Sequence, residues 1–244
     1  MTVRIARLAL VLAAPLLLVG CLLAPGKFTS TLVVNADRTF TYTYQGEVYS
    51  FDMSQAMKDL PGKGDDEDGG KSSTSLTQAG WQKTPAKPDD DADTKAAADA
   101  HNRAIAEALS KEAGFRKVEY LGDGRFMIDY QISGKLDRTF VFPYNLDAGI
   151  IMPFIVIEPR ANGTIRIKAP GFANDAKDMA GGGMPTDTSK MASKLDGTFT
   201  LDTDAELVSQ NNEDGATTAN GRSKVIWKAT PLTGAAPMAV LRFK

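Results

Sequence analysis

Apolar and polar positions alternate with a period of two over much of this chain. In 39–44, Phe40, Tyr42 and Tyr44 share one side of an extended segment while Thr39, Thr41 and Thr43 share the other. In 125–133, Phe126, Ile128, Tyr130 and Ile132 line one side in the same way. Such alternation of aromatic and β-branched residues marks a strand with one buried face. It predicts strands at 31–34, 39–44, 48–51, 117–121, 125–133, 138–142, 150–157, 164–168, 198–201, 205–210, 224–229 and 239–243. The residues between them agree: Asn35-Ala36-Asp37-Arg38, Gly122-Asp123-Gly124 and Asn162-Gly163 all favour tight reversals.

One stretch has a different rhythm. In 94–113, Lys95, Asp99, Arg103, Glu107 and Lys111 recur every four residues with mixed sign, which reads as an exposed helical stripe. Ala97, His101, Ile105 and Leu109 recur on the opposite side as the packing stripe, and Gly114 is placed to end the helix. Two further stretches have no rhythm and read as mobile insertions. The segment 61–93 carries Pro61, Gly62, the acidic run Asp65, Asp66, Glu67 and Asp68, and Trp81 as a single apolar anchor. The segment 169–194 carries Gly181-Gly182-Gly183 and scattered methionines. The predicted fold class is α+β: a mainly antiparallel, curved sheet with one principal amphipathic helix.

The first residues carry a different signal. Arg4 and Arg7 precede an apolar run over 8–19, which is followed by Leu18-Val19-Gly20-Cys21. Twelve apolar residues suit a signal-peptide core and fall short of the roughly 20 that a membrane-spanning helix needs. This segment resembles a bacterial lipoprotein signal peptide with a lipobox for signal peptidase II. The resemblance implies removal of 1–20, a diacylglyceryl group (with palmitate-type chains) on Cys21, a lipidated tether over 21–29, and a single envelope domain over 30–244. A thiolate is the side chain suited to that alkylation, and two or three acyl chains anchor far more firmly than one. Leu22 and Leu23 follow the cysteine where an aspartate would signal inner-membrane retention. The implied location is therefore the outer membrane facing the periplasm in a Gram-negative cell, or the outer leaflet of the plasma membrane in a Gram-positive one.

A second resemblance lies in the C-terminal third. Ala205-Glu206-Leu207-Val208, Asn211-Asn212, Gly221, Val225-Ile226-Trp227 and the apolar strand at 239–243 resemble the mycobacterial LppM-type lipoproteins. That resemblance implies a lipid-anchored α+β domain that binds envelope lipids. It supplies no binding motif to transfer residue by residue, and the acidic insertion departs from it.

Composition narrows the chemistry. Without 1–20 the chain holds 26 basic and 30 acidic side chains, a net charge of about −4, and no basic patch interleaved with aromatics. No nucleic-acid partner is expected. His101 is the single histidine and Cys21 the single cysteine, so there is no HExxH site, no disulfide, and a Ser-His-Asp triad would have to use a packing-face histidine. The acidic run fails the EF-hand spacing, because Gly64 and Ser75 fall where carboxylates are required. Neither catalysis nor a cofactor or metal is expected. The aromatic stripes, represented by Phe40, Tyr42, Tyr44, Tyr130 and Trp227, are candidates to line a ligand cavity, with ordinary core packing as the competing explanation. The expected function is non-enzymatic binding of a lipid or other amphiphile at the membrane. The alternatives are a structural lipoprotein that binds another envelope protein and a hydrolase without a recognisable motif. Oligomeric state and ligand identity are left open.

Overall fold

The computed structural model describes residues 21–52, 88–144, 153–174 and 193–243. The expected signal peptide over 1–20, Trp81, the glycine triplet, 61–87 and 175–192 lie outside the described residues, as does 150–152.

The strands run in chain order as β1 (Cys21–Val34), β2 (Thr39–Asp52), β3 (Phe115–Gly122), β4 (Arg125–Lys135), β5 (Phe140–Phe142), β6 (Ile155–Pro159), β7 (Thr164–Lys168), β8 (Asp196–Thr203), β9 (Glu206–Gln210), β10 (Thr217–Ala219), β11 (Arg222–Ala229) and β12 (Met238–Arg242). One helix, α1 (Pro88–Ser110), stands between β2 and β3. The α+β class holds, but the strands form two sheets where the sequence suggested one. A seven-stranded sheet is ordered β10-β11-β8-β1-β2-β4-β3, and a five-stranded sheet β5-β6-β7-β12-β9. Every neighbouring pair is antiparallel except β1 and β8.

The segment 21–29, expected as a tether, is the first half of β1. Cys21 pairs with Asp52 and the ladder with β2 continues to Val34 opposite Phe40. A β-bulge hid this strand from the sequence. Pro25 faces Val48 and Phe28 faces Gly46, so Gly26 and Lys27 together oppose Glu47. The extra residue flips the alternation. Leu23 and Pro25 point inward before it, and Phe28, Ser30, Leu32 and Val34 point inward after it.

The helix also begins earlier than expected, at Pro88. Proline needs no amide partner in a first helical turn. Its buried side is Asn102, Ile105 and Leu109, and His101 is exposed. Of the expected packing stripe Ile105 and Leu109 are buried while Ala97 and His101 are exposed, because a strict four-residue repeat drifts about 40° per step on a helix of 3.6 residues per turn. The segment 169–194 is not wholly an insertion either. Ala169 and Phe172, the latter in a short 3-10 turn (Pro170–Phe172), are fully buried.

The expected hairpin turns form. Asp37 accepts from the Thr39 amide at 2.8 Å and the Thr39 hydroxyl at 2.6 Å, and Arg38 takes a φ of 70°. Asn162 serves Thr164 in the same way, with Gly163 at a φ of 79°.

Candidate functional site

The five aromatic candidates are brought together inside the sandwich. Phe40 is 7 % exposed, Tyr130 5 %, Trp227 6 %, and Tyr42 and Tyr44 are fully buried. Alternation places them on the inner face of the seven-stranded sheet, where they meet Phe140, Phe142, Phe154 and Phe172 from the other layer. Ring centroids separate by 5.3 Å for Tyr42–Phe142, 4.3 Å for Tyr130–Phe142, 5.2 Å for Phe40–Phe140 and 5.6 Å for Tyr44–Phe154. The chain of rings continues from Tyr44 through Phe28, Phe172 and Phe199 to Trp227 at steps of 5.4, 4.4, 5.6 and 5.4 Å. At these distances each ring is packed against its neighbours. In the structure these side chains are core.

Trp227 has a polar tether as well. Its indole Nε1 donates to Asn211 Oδ1 at 3.0 Å, and the same oxygen accepts from the Met238 amide at 2.8 Å. Asn211 Nδ2 donates to the Ala236 carbonyl at 2.8 Å, and Asn212 Nδ2 to the Ile226 carbonyl at 2.8 Å. The Asn211-Asn212 and Trp227 pattern therefore stitches β11 of one sheet to the β9–β12 edge of the other.

Concavity appears on the outside of the seven-stranded sheet. A depression of about 550 Å³ lies over β1, β2, β8 and β11, lined by Lys27, Thr29, Gln45, Thr198, Lys228, Thr230 and Asp196, with Phe28 and Gly197 at its floor. Register assembles it. Thr29 stands beside Gln45 and Thr198, Thr198 beside Lys228, and Lys27 beside Asp196. The bulge turns Lys27 to this face. On the inner side Gly197 and Gly46, the register partners of Phe28, leave room for it: a Cβ on Gly197 would lie 2.3 Å from the Phe28 ring, and one on Gly46 (φ 153°) 2.2 Å from the Lys27 carbonyl oxygen. Neither Lys27 nor Lys228 forms an ion pair among the described residues, so both ammonium groups are available to an anion. The hydroxyls and the Gln45 amide add donors and acceptors. Sequence reasoning passed over this site because its residues are ordinary solvent-face strand residues, brought together by the parallel β1–β8 pairing.

Other polar clusters are committed to structure. The Tyr120 hydroxyl donates to Asp99 and accepts from the Gly124 amide at 3.1 Å, and Ser50 donates to Asn102 at 2.8 Å, which pins α1 to the sheet. Asp202 and Asp204 hold Arg222, and Glu206 holds Arg242 at 2.8 Å. Among the described residues no group of three or more His, Cys, Asp or Glu is placed to hold a metal ion. No described helix is long and apolar enough to cross a membrane.

Neither a family model nor a curated protein matches this chain. Among solved structures it is similar to the folded domain of the Mycobacterium tuberculosis LppM protein, at 15 % identity and a TM-score of 0.30 over 91 % of each chain.

Proposed function

We propose that this is a lipid-anchored cell-envelope protein, without catalytic activity, that binds an amphiphile by its anionic polar head in the outer depression. The observation that carries this reading is the pair of uncommitted ammonium groups, Lys27 and Lys228, on one concave site with three threonine hydroxyls and the Gln45 amide. An anionic head with hydroxyls, such as a glycerophosphate, satisfies those groups together, with Asp196 left to accept from a hydroxyl. The closed ring network favours an outer site over an internal cavity. The acyl chains remain in the bilayer beside the anchor at Cys21, so the protein has no need to enclose them.

The test is a titration of the chain with short-chain phosphatidylglycerol, before and after the double change Lys27→Glu and Lys228→Glu. Each lost charge-assisted contact is worth about 1.5–3 kcal/mol, so affinity falls at least about tenfold. The melting temperature changes little, because both side chains are exposed. Equal affinity in the two proteins refutes the site.

A further inference from the structure

The end of the sandwich that holds Cys21 is stepped. β1 extends six residues beyond Lys27, the first residue of β1 that pairs with β8, so the β1–β2 arm overhangs β8 and β11 by about 20 Å of strand. Under that overhang lie the end of β11 and the turn that follows it. At the tip of the turn Leu232 is 94 % exposed.

A leucine so exposed is usually on a loose loop, and this one is not. The Thr230 amide donates to Thr233 Oγ1 at 3.0 Å, the Thr233 amide to the Thr230 carbonyl at 3.0 Å, and the Leu232 amide to Thr230 Oγ1 at 3.3 Å. Thr233 Oγ1 also donates to the Lys228 carbonyl at 3.1 Å. From the neighbouring segment Asn174 donates its amide to the Thr233 carbonyl at 2.7 Å and its side chain to the Pro231 carbonyl at 3.0 Å. The turn is braced from both sides and presents one apolar side chain outward.

Charge accompanies it. Lys27, Lys194 and Lys228 occupy the step between the β1 arm and the turn. None of the three is in an ion pair among the described residues, and Lys194 lies over the Tyr49 ring at 5.8 Å. Asp196 is the opposing carboxylate there. Glu47 is held by the Tyr49 hydroxyl at 3.2 Å and Arg125 at 3.6 Å.

We propose that this stepped end is a second membrane contact: the domain leans on an anionic bilayer, Leu232 enters the interface, and the three lysines meet lipid headgroups. A rigid turn loses little freedom on insertion, and basic residues are drawn to an anionic leaflet. The proposal rests on the anchored reading of Cys21, because the anchor brings the end bearing β1 to the bilayer. It adds an inserted leucine, Leu232, and a third lysine, Lys194, which the binding site alone does not use.

The test uses the full chain purified from membranes and placed in phosphatidylcholine vesicles that contain phosphatidylglycerol. Cys21 is the single cysteine, so a lipidated chain carrying Leu232→Cys has one free thiol for an environment-sensitive fluorophore. Asn220→Cys, in the turn before β11 at the far end of that strand, is the control. With one label per chain, the expected result is several-fold stronger quenching by acyl-chain nitroxide lipid at 232 than at 220, with a blue-shifted emission. Equal, weak quenching at both positions with one label per chain overturns the docking surface alone. Two labels per chain overturn the anchor, and the docking surface with it.

Discussion

Tyr42 presents the one buried side-chain polar atom among the described residues that has no hydrogen-bond partner. Its neighbour Ser30 donates to the Thr43 carbonyl at 3.0 Å instead. Tyr44, two residues on and equally buried, donates to the Glu47 carbonyl at 2.8 Å. The two phenols therefore form an internal control. Tyr42→Phe removes an unsatisfied group and leaves stability unchanged or raises it by up to about 1 kcal/mol, whereas Tyr44→Phe strands a carbonyl and costs about 1 kcal/mol. Thermal unfolding of the two variants separates them, and a loss for Tyr42→Phe as large as that for Tyr44→Phe shows that its hydroxyl has a partner. Asn211→Ala belongs to the same scale. It leaves the Trp227 indole N–H and the Met238 amide without their acceptor, so a loss of about 2–3 kcal/mol is expected in chemical denaturation. The asparagine and the tryptophan were legible as a pattern in the sequence. Their partnership was not, because it crosses from one sheet to the other.

At the scale of elements, the hairpins were readable because each is local: asparagine, aspartate and glycine at the turn, alternation on either side. Pairings across long stretches of chain were not. β1 and β8 are parallel neighbours that enclose most of the chain between them, and parallel strands need a crossover that no local pattern announces. Burial of the inner face has a titration signature. It holds the phenols of Tyr42 and Tyr44 well above the ordinary value of 10.0, and pushes Tyr130 up to about 12. Above pH 10 the unfolded chain releases these protons while the folded one keeps them, so the native state binds more protons and stability falls as pH rises. The contribution is whole below about pH 10 and is lost as pH climbs through 12 and beyond. Absorbance at the tyrosinate band, followed with circular dichroism, is expected to show these three ionising only as the β-structure melts. Their ionisation in an intact fold would mean that water reaches the sandwich.

At the scale of the molecule, β1 joins the two halves of the account. It begins at Cys21, runs as a ladder into the middle of the seven-stranded sheet, and is bulged where it contributes Lys27 to the depression. The proposed anchor and the proposed site are thus parts of one strand. The sequence points to Cys21 as the proposed anchor and marks which strands are aromatic. The aromatic residues belong to the core, and the polar site was concealed among threonines and lysines that any solvent-facing strand could carry. The most direct measurement is an NMR shift map of the lipidated chain in neutral micelles, titrated with short-chain phosphatidylglycerol. The largest amide shifts are expected at Lys27, Thr29, Gln45, Thr198 and Lys228. Shifts centred instead on Phe40, Tyr42, Tyr130 and Trp227 would contradict this, because they would place the ligand inside the sandwich.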